Sequence, residues 1–296
     1  MTAPERLTAV GAGLEQLYAQ TDFQARLRTD PIRFPRRYTR HEDVEIAAVL
    51  ASGFAFGRVT LFGPVLEGLF DRMDAQGGPR AYIDHFDPNV EGPALAPVVY
   101  RWVRGPDLVV LFGALRRVRA QHGGLEPLFG GGSARAALEG AATALEQEAR
   151  AVAPSGSLSR GVRYFLSRPS TGSACKRWNM MLRWLVRPPT EGVDLGLWTC
   201  LRPADLVMPL DTHVMRIARF LGLIRTSTAS WRVAEQLTAQ LRRIDPLDPV
   251  RLDFAIAHLG ISGACKGVRD PEVCSPCPLR KGCDAPPPSV RTVAGR

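Results

Sequence analysis

Four of the chain's six cysteines fall in its last thirty-two residues, in the order Cys265-x8-Cys274-x2-Cys277-x5-Cys283. Four thiolates form a complete ligand set for a tetrahedral Zn²⁺, or for a [4Fe–4S] cluster whose irons take one sulfur each. The two-residue gap lets neighbouring sulfurs converge without stretching the backbone, and the longer gaps must loop around the centre. A zinc site usually shows two short cysteine pairs and this row has one, which favours the cluster and leaves Zn²⁺ as the alternative. Cys175 and Cys200 stand alone and read as buried apolar filler.

The rest of the composition fits that chemistry. No start resembling a secretory signal and no unbroken apolar run long enough to span a bilayer is found, so the expected location is the cytoplasm, where structural disulfides are disfavoured. Thirty-eight Lys and Arg against twenty-nine Asp and Glu give a net charge of +9, which favours a polyanionic partner such as DNA at the nucleoid. Between Arg160 and Arg202 eight basic residues face only Glu191 and Asp194.

Apolar residues recur at three- and four-residue intervals over LTAVGAGLEQLYAQ, DVEIAAVLASGFAF, VTLFGPVLEGLFDRM, DLVVLFGALRRVRAQHGG and SARAALEGAATALEQEARAV, which predicts helices. Residues 77–97 read as a loop with a short helix. After a break at VAPSGS come LSRGVRYFLSRP, ACKRWNMMLRWLVRP, a helix opened by Asp211, ASWRVAEQLTAQLRRI and PVRLDFAIAHLGISGAC. No alternating run implies a substantial sheet, so the expected fold class is all-α. Asp211 precedes a run containing Val214, Ile217, Ala218 and Leu221 and is a helix N-cap. Around HFDPN and YRWVRGPDL no motif with a defined role emerges.

Three segments together resemble the helix-hairpin-helix DNA glycosylases related to endonuclease III. VCSPCPLRKGC is similar to their C-terminal cluster loop, although the first cysteine gap is longer here. LDTHVMRIARFLGL is similar to the segment that carries their essential carboxylate. RPSTGSACKRWNMMLRWLVRP is similar to their hairpin, with Lys176, Asn179 and Leu182 at matching places, but without its second glycine.

The resemblance implies a two-lobed all-α glycosylase fold with a C-terminal [4Fe–4S] loop. One discontinuous lobe would comprise residues 1–40 and 200–296, and a central lobe residues 41–199, with the hairpin near 158–187. It implies Asp211 as essential carboxylate and Lys176 as the Schiff-base amine of lyase-active members. Gly172, Ser173, Arg177 and Arg183 in the hairpin, and Lys266, Arg280 and Lys281 around the cluster loop, would contact DNA. Phe54, Phe56, Arg58 and Trp178 would supply a base pocket or wedge. His213 reads as a helix-start residue and Arg216 as support for a neighbouring polar group. The partner would be double-stranded DNA carrying a damaged or abasic nucleotide, bound by a monomer without a membrane.

The 35-residue separation of Lys176 and Asp211 exceeds the family's, so an insertion around PPTEGVDLGLWTCLRPADLVMP is expected to loop out. Residues 284–296 are expected to be flexible. The activity implied is excision of a damaged or mismatched base, with strand cleavage where Lys176 attacks the sugar. The alternative is a DNA-structure-binding protein that keeps the scaffold without catalysis.

Overall fold

DVEIAAVLASGF has no polar face after its first turn, and a helix apolar all round must lie inside a core. In the computed structural model, which describes residues 2–287, this segment is buried from Asp43 to Phe54. The described residues form fourteen α-helices and one two-stranded hairpin, the all-α class expected from periodicity.

In chain order the first seven helices are α1 (Ala3–Ala19), α2 (Phe23–Leu27), α3 (His41–Phe54), α4 (Val59–Asp74), α5 (Pro79–Asp84), α6 (Pro88–Leu95) and α7 (Gly105–His122). There follow α8 (Ala134–Val152), α9 (Arg160–Phe165), α10 (Lys176–Val186), α11 (Thr212–Phe220), α12 (Trp231–Arg242), α13 (Asp253–Ile261) and α14 (Pro271–Cys274). The hairpin joins β1 (Val99–Tyr100) to β2 (Val103–Arg104), with Val99 opposite Arg104 and Tyr100 opposite Val103. No helix of the described residues is long and apolar enough to cross a membrane.

The chain divides into two compact units, Met1–Asp22 with Val207–Arg296, and Phe23–Leu206. The sequence reading assigned residues 23–40 and 200–206 to the terminal lobe, and both segments pack in the central unit instead. Ile32 and Phe34 are fully buried there, and Phe34 stacks on Phe70 at 5.3 Å between ring centroids. At the other boundary the Glu126 carboxylate accepts the N–H groups of Thr199 and Cys200, and Leu201 and Leu206 are buried.

In the central unit α3 packs along α10, while α7 packs against α8. Buried Glu45 at the start of α3 accepts N–H groups from Leu125 at 3.1 Å and from the Trp198 indole at 2.8 Å. The segment expected to loop out is therefore folded back into the core: Val193, Asp194 and Trp198 are each at most 2% exposed. Trp198 N–H and Leu195 N–H donate to the Leu185 and Trp184 carbonyls of α10, both at 2.7 Å.

In the terminal unit, Gly260 on α13 lets α11 approach so closely that a Cβ there would lie 2.5 Å from the His213 Cβ. Gly13 on α1 is pressed against the Pro278 carbonyl in the same way. Of the tail expected to be flexible, Asp284 donates its N–H to the Phe220 carbonyl at 2.7 Å and Ala285 is buried. Residues 288–296 lie outside the described residues.

A Cβ added at Gly53 would overlap the Phe165 ring, and overpacking of this kind costs about 1–3 kcal/mol. Gly53→Ala should lower the thermal midpoint by about 2–4 °C per kcal/mol for a unit of this size, as read by calorimetry.

Candidate nucleic-acid interface and thiol cavity

The segment resembling a hairpin is built as α9, a 3-10 turn over Pro169–Thr171, and α10. Gly172 closes the turn in the left-handed region, φ +79°, a conformation that glycine adopts without a Cβ penalty. The Ser173 hydroxyl accepts the Cys175 N–H at 3.2 Å. Within the turn, the Ser170 N–H and hydroxyl both donate to the Glu139 carboxylate, so one site for an incoming anion already holds an internal acid. Lys176 is the first residue of α10, and its amine donates to the Ala55 carbonyl at 3.1 Å, where α3 ends.

Beyond Lys176, α10 is buried at every residue from Arg177 to Val186, and this corrects two of the proposed DNA contacts. Arg177 is 9% exposed, donates to the Gly53 and Tyr164 carbonyls, and lies 3.4 Å from the centre of the Tyr164 ring. Burial pushes its pKa down to about 10. Arg183 is 3% exposed and shares Asp194 with Arg187. Neither guanidinium is presented to a phosphate, because a buried charge must find an internal partner or carbonyl.

The base-pocket candidates divide in the same way. Phe54 is fully buried, edge-on to Phe165 at 5.5 Å, and Trp178 is 6% exposed against Phe129 at 5.7 Å; both are core side chains. Phe56 is half-buried and Arg58 exposed. Sequence reasoning missed the neighbours of Phe56, namely Tyr100 and Trp102 from the hairpin and Tyr164 from α9. The signal available was RWVR, an aromatic between arginines, in a stretch without any Asp or Glu from 92 to 106.

In the terminal unit, Asp211 caps α11, its Oδ1 accepting the Val214 N–H at 2.6 Å, and the carboxylate is half-buried. One turn further along, Arg216 donates to the Cys265 carbonyl at 3.2 Å. The helix that begins with the carboxylate thus holds the start of the cysteine loop, in keeping with the supporting role expected of Arg216. His213 faces α13, with its Nδ1 buried and without a hydrogen-bond partner among the described residues.

Cys265, Cys274, Cys277 and Cys283 are free thiols that line one cavity of about 520 Å³, together with apolar side chains such as Ile217, Leu259 and Val268. The loop is pinned where the sulfurs leave it. Cys265 N–H donates to Leu259 at 3.1 Å, Cys274 N–H to Asp270 at 2.7 Å, and the Arg269 guanidinium to the Cys283 carbonyl at 3.2 Å. Burial, reinforced by the neighbouring cysteines, pushes the Cys277 and Cys283 thiols up. No group of three or more His, Cys, Asp or Glu that could hold one metal ion occurs among the described residues. Outside the cavity, Lys266 pairs with Asp270 at 2.7 Å, while Arg280 and Lys281 are exposed without an ion-pair partner among the described residues. Cys175 is buried, as expected of filler, whereas Cys200 is half-exposed.

These features define a two-unit helical protein with a four-thiol cavity in one unit and a basic helical hairpin in the other. Residues 30–262 match the sequence profile of DUF2400, described as a protein family of unknown function, and the chain belongs to that family. No match was found among curated proteins or among solved structures.

Asp194→Asn removes the counter-charge of two buried guanidinium groups at constant shape, a change of about 3–5 kcal/mol. Its thermal midpoint should fall markedly. Arg183→Met should likewise act on stability, whereas a phosphate contact would show as weakened DNA binding at unchanged stability.

Proposed function

We propose that the chain is an iron–sulfur DNA glycosylase that excises a damaged or mismatched base, with lyase activity through Lys176. The observation that carries this reading is the convergence of four cysteines on one cavity, joined through Arg216 to the helix that Asp211 opens. Lys176 at the start of the second hairpin helix supports it from the other unit. The [4Fe–4S] group fits the donor set, since four soft ligands around an apolar cavity suit a cluster with four irons. A single Zn²⁺ needs sulfurs all within about 2.3 Å of one point. A bound cluster would cross-link the loop and so fix Arg280 and Lys281 against a DNA backbone.

The chemistry belongs to the side chains. A base must leave the stack before its glycosidic carbon is accessible, and a damaged or mispaired base costs least to extrude. As the bond to the base breaks, the sugar gains oxocarbenium character that the Asp211 carboxylate stabilises. Lys176, once neutral and released from the Ala55 carbonyl, attacks C1′ as the base departs with the bonding pair. Loss of the ring oxygen's bond to C1′ gives the imine. Removal of a proton from C2′ then expels the 3′ phosphate. Where the amine keeps its proton, a water oriented by Asp211 takes its place and the sugar is left intact.

Holoprotein incubated with uracil-, oxidised- and alkylated-base duplexes, with borohydride in parallel, should release a base and form a reduced covalent adduct. Asp211→Asn should slow release about 100-fold or more, and Lys176→Gln should abolish the adduct. Binding without release across the panel would instead identify a non-catalytic DNA-structure-binding protein. Visible absorption with iron and sulfide analysis checks the cluster, and stoichiometric zinc without iron would overturn it.

A further inference from the structure

The tip of the β1–β2 hairpin carries features that neither the thiol cavity nor the Lys176–Asp211 chemistry uses. Its two turn residues are Arg101, in the left-handed region at φ +53°, and Trp102. A non-glycine residue held there is uncommon and is maintained by its surroundings. The Trp102 ring stacks on Phe56 at 5.1 Å and 18°, and meets Tyr164 edge-on at 4.8 Å. Phe56 in turn contacts Tyr100 and Tyr164, each at 4.7 Å. Gly57 makes the approach feasible: its φ is +83°, and a Cβ there would lie 2.9 Å from both the Arg101 guanidinium and the Tyr100 hydroxyl.

This stack is not closed over. Phe56, Trp102 and Tyr164 are all half-buried, while the other four tryptophans, 178, 184, 198 and 231, are buried. Arg101 lies 5.8 Å from the centre of the Phe56 ring, and Arg58, Arg104 and Arg163 adjoin Gly57, Val103 and Tyr164 in the chain; with Arg160 they are all exposed, and none has an ion-pair partner among the described residues. Arg160 sits over the Trp102 ring at 4.9 Å. The contributing segments contain almost no acid: residues 46–66, 92–106 and 149–190 have neither Asp nor Glu. The nearest carboxylate along the chain, Asp107, is buried and accepts the Arg104 N–H and the Ser159 hydroxyl. The Trp102 indole N–H is buried and lacks an acceptor among the described residues.

Arginines alone would suit any polyanion, and aromatic rings alone would suit any apolar partner. The combination of a half-open π stack with a rim of unpaired guanidinium groups matches one ligand chemistry, a phosphodiester strand whose bases are unstacked. We infer that Trp102, backed by Phe56 and Tyr164 and rimmed by these arginines, is a stacking platform for a nucleobase of a DNA strand. The Lys176 amine is bonded to Ala55, the residue before Phe56, so the platform adjoins the proposed nucleophile within the same unit. The inference rests on the proposal that DNA is the substrate, and it adds the side chains that receive an unstacked base.

The test uses the full chain, an oligothymidine strand, and an abasic phosphodiester of equal length. Because four indoles are buried, quenching of intrinsic fluorescence on binding reports Trp102. Oligothymidine should quench and bind more tightly than the abasic chain. Trp102→Ala should weaken oligothymidine binding about tenfold to a hundredfold and erase its advantage over the abasic chain. Trp102→Phe should keep binding, measured by anisotropy of a labelled strand, while losing the quench. Arg160→Ala should reduce the slope of log affinity against log salt by about one.

Equal binding of the two chains overturns the platform, as does wild-type binding without quench, which requires no variant to fold. Tighter binding of oligouridine than of oligothymidine would overturn its assignment to DNA. Undamaged strands separate this inference from the catalytic one. Quenching with no base release from any damaged duplex retires the glycosylase reading alone, and base release without quenching retires the platform alone.

Discussion

Arg183 of α10 and Arg187, which caps its C-terminus, are buried against Asp194, which returns to meet them. The helix itself carries no acid, and both guanidinium groups sit where water cannot solvate them. One carboxylate, itself inaccessible, takes both. Charge in such surroundings is tolerated only when paired and hydrogen-bonded. Asp194 belongs to the segment after the helix, so this pairing also folds residues 193–198 back along α10, where Trp198 reaches Glu45 on α3. The position of Lys176, at the exposed end of an otherwise enclosed helix, follows from that arrangement.

The terminal unit rests on close backbone approach rather than on buried charge. Gly260 lets α13 touch α11 at His213, and Arg216 on α11 reaches the carbonyl where the cysteine loop departs. Asp211 caps the same helix. Its Oδ1 accepts the Val214 N–H, so the carboxylate that would face the sugar in the proposed reaction is held by the helix it opens.

Much of this was legible from residues alone. The cysteine spacing indicated a common centre and the four thiols line one cavity. Asp211 read as an N-cap and is one, and Lys176 read as the start of a helix and is its first residue. Two kinds of feature were hidden. The charges of α10 looked like a DNA-facing surface because a helix with a lysine and two arginines normally seeks solvent, and nothing in its local pattern disclosed that Asp194 and backbone carbonyls would neutralise or solvate the arginines. Trp178 was favoured over Trp184 for its proximity to Lys176 in sequence, yet both indoles are buried, and the half-buried one, Trp102, came from a distant turn. That turn went unread because strands of two residues are too short to show alternation.

The terminal unit is assembled from the two ends of the chain, with α1 packed on the 3-10 turn at Arg280–Gly282 and on α13. During synthesis the central unit has all of its residues available once Leu206 has emerged. α1 precedes the central unit and has none of these partners until α13 and the cysteine loop have followed it. Its apolar face, Val10, Leu14 and Leu17, must wait in the company of ribosome or chaperone. The thiol loop consequently acquires its supporting wall late, so a truncated product would be denied a finished cage.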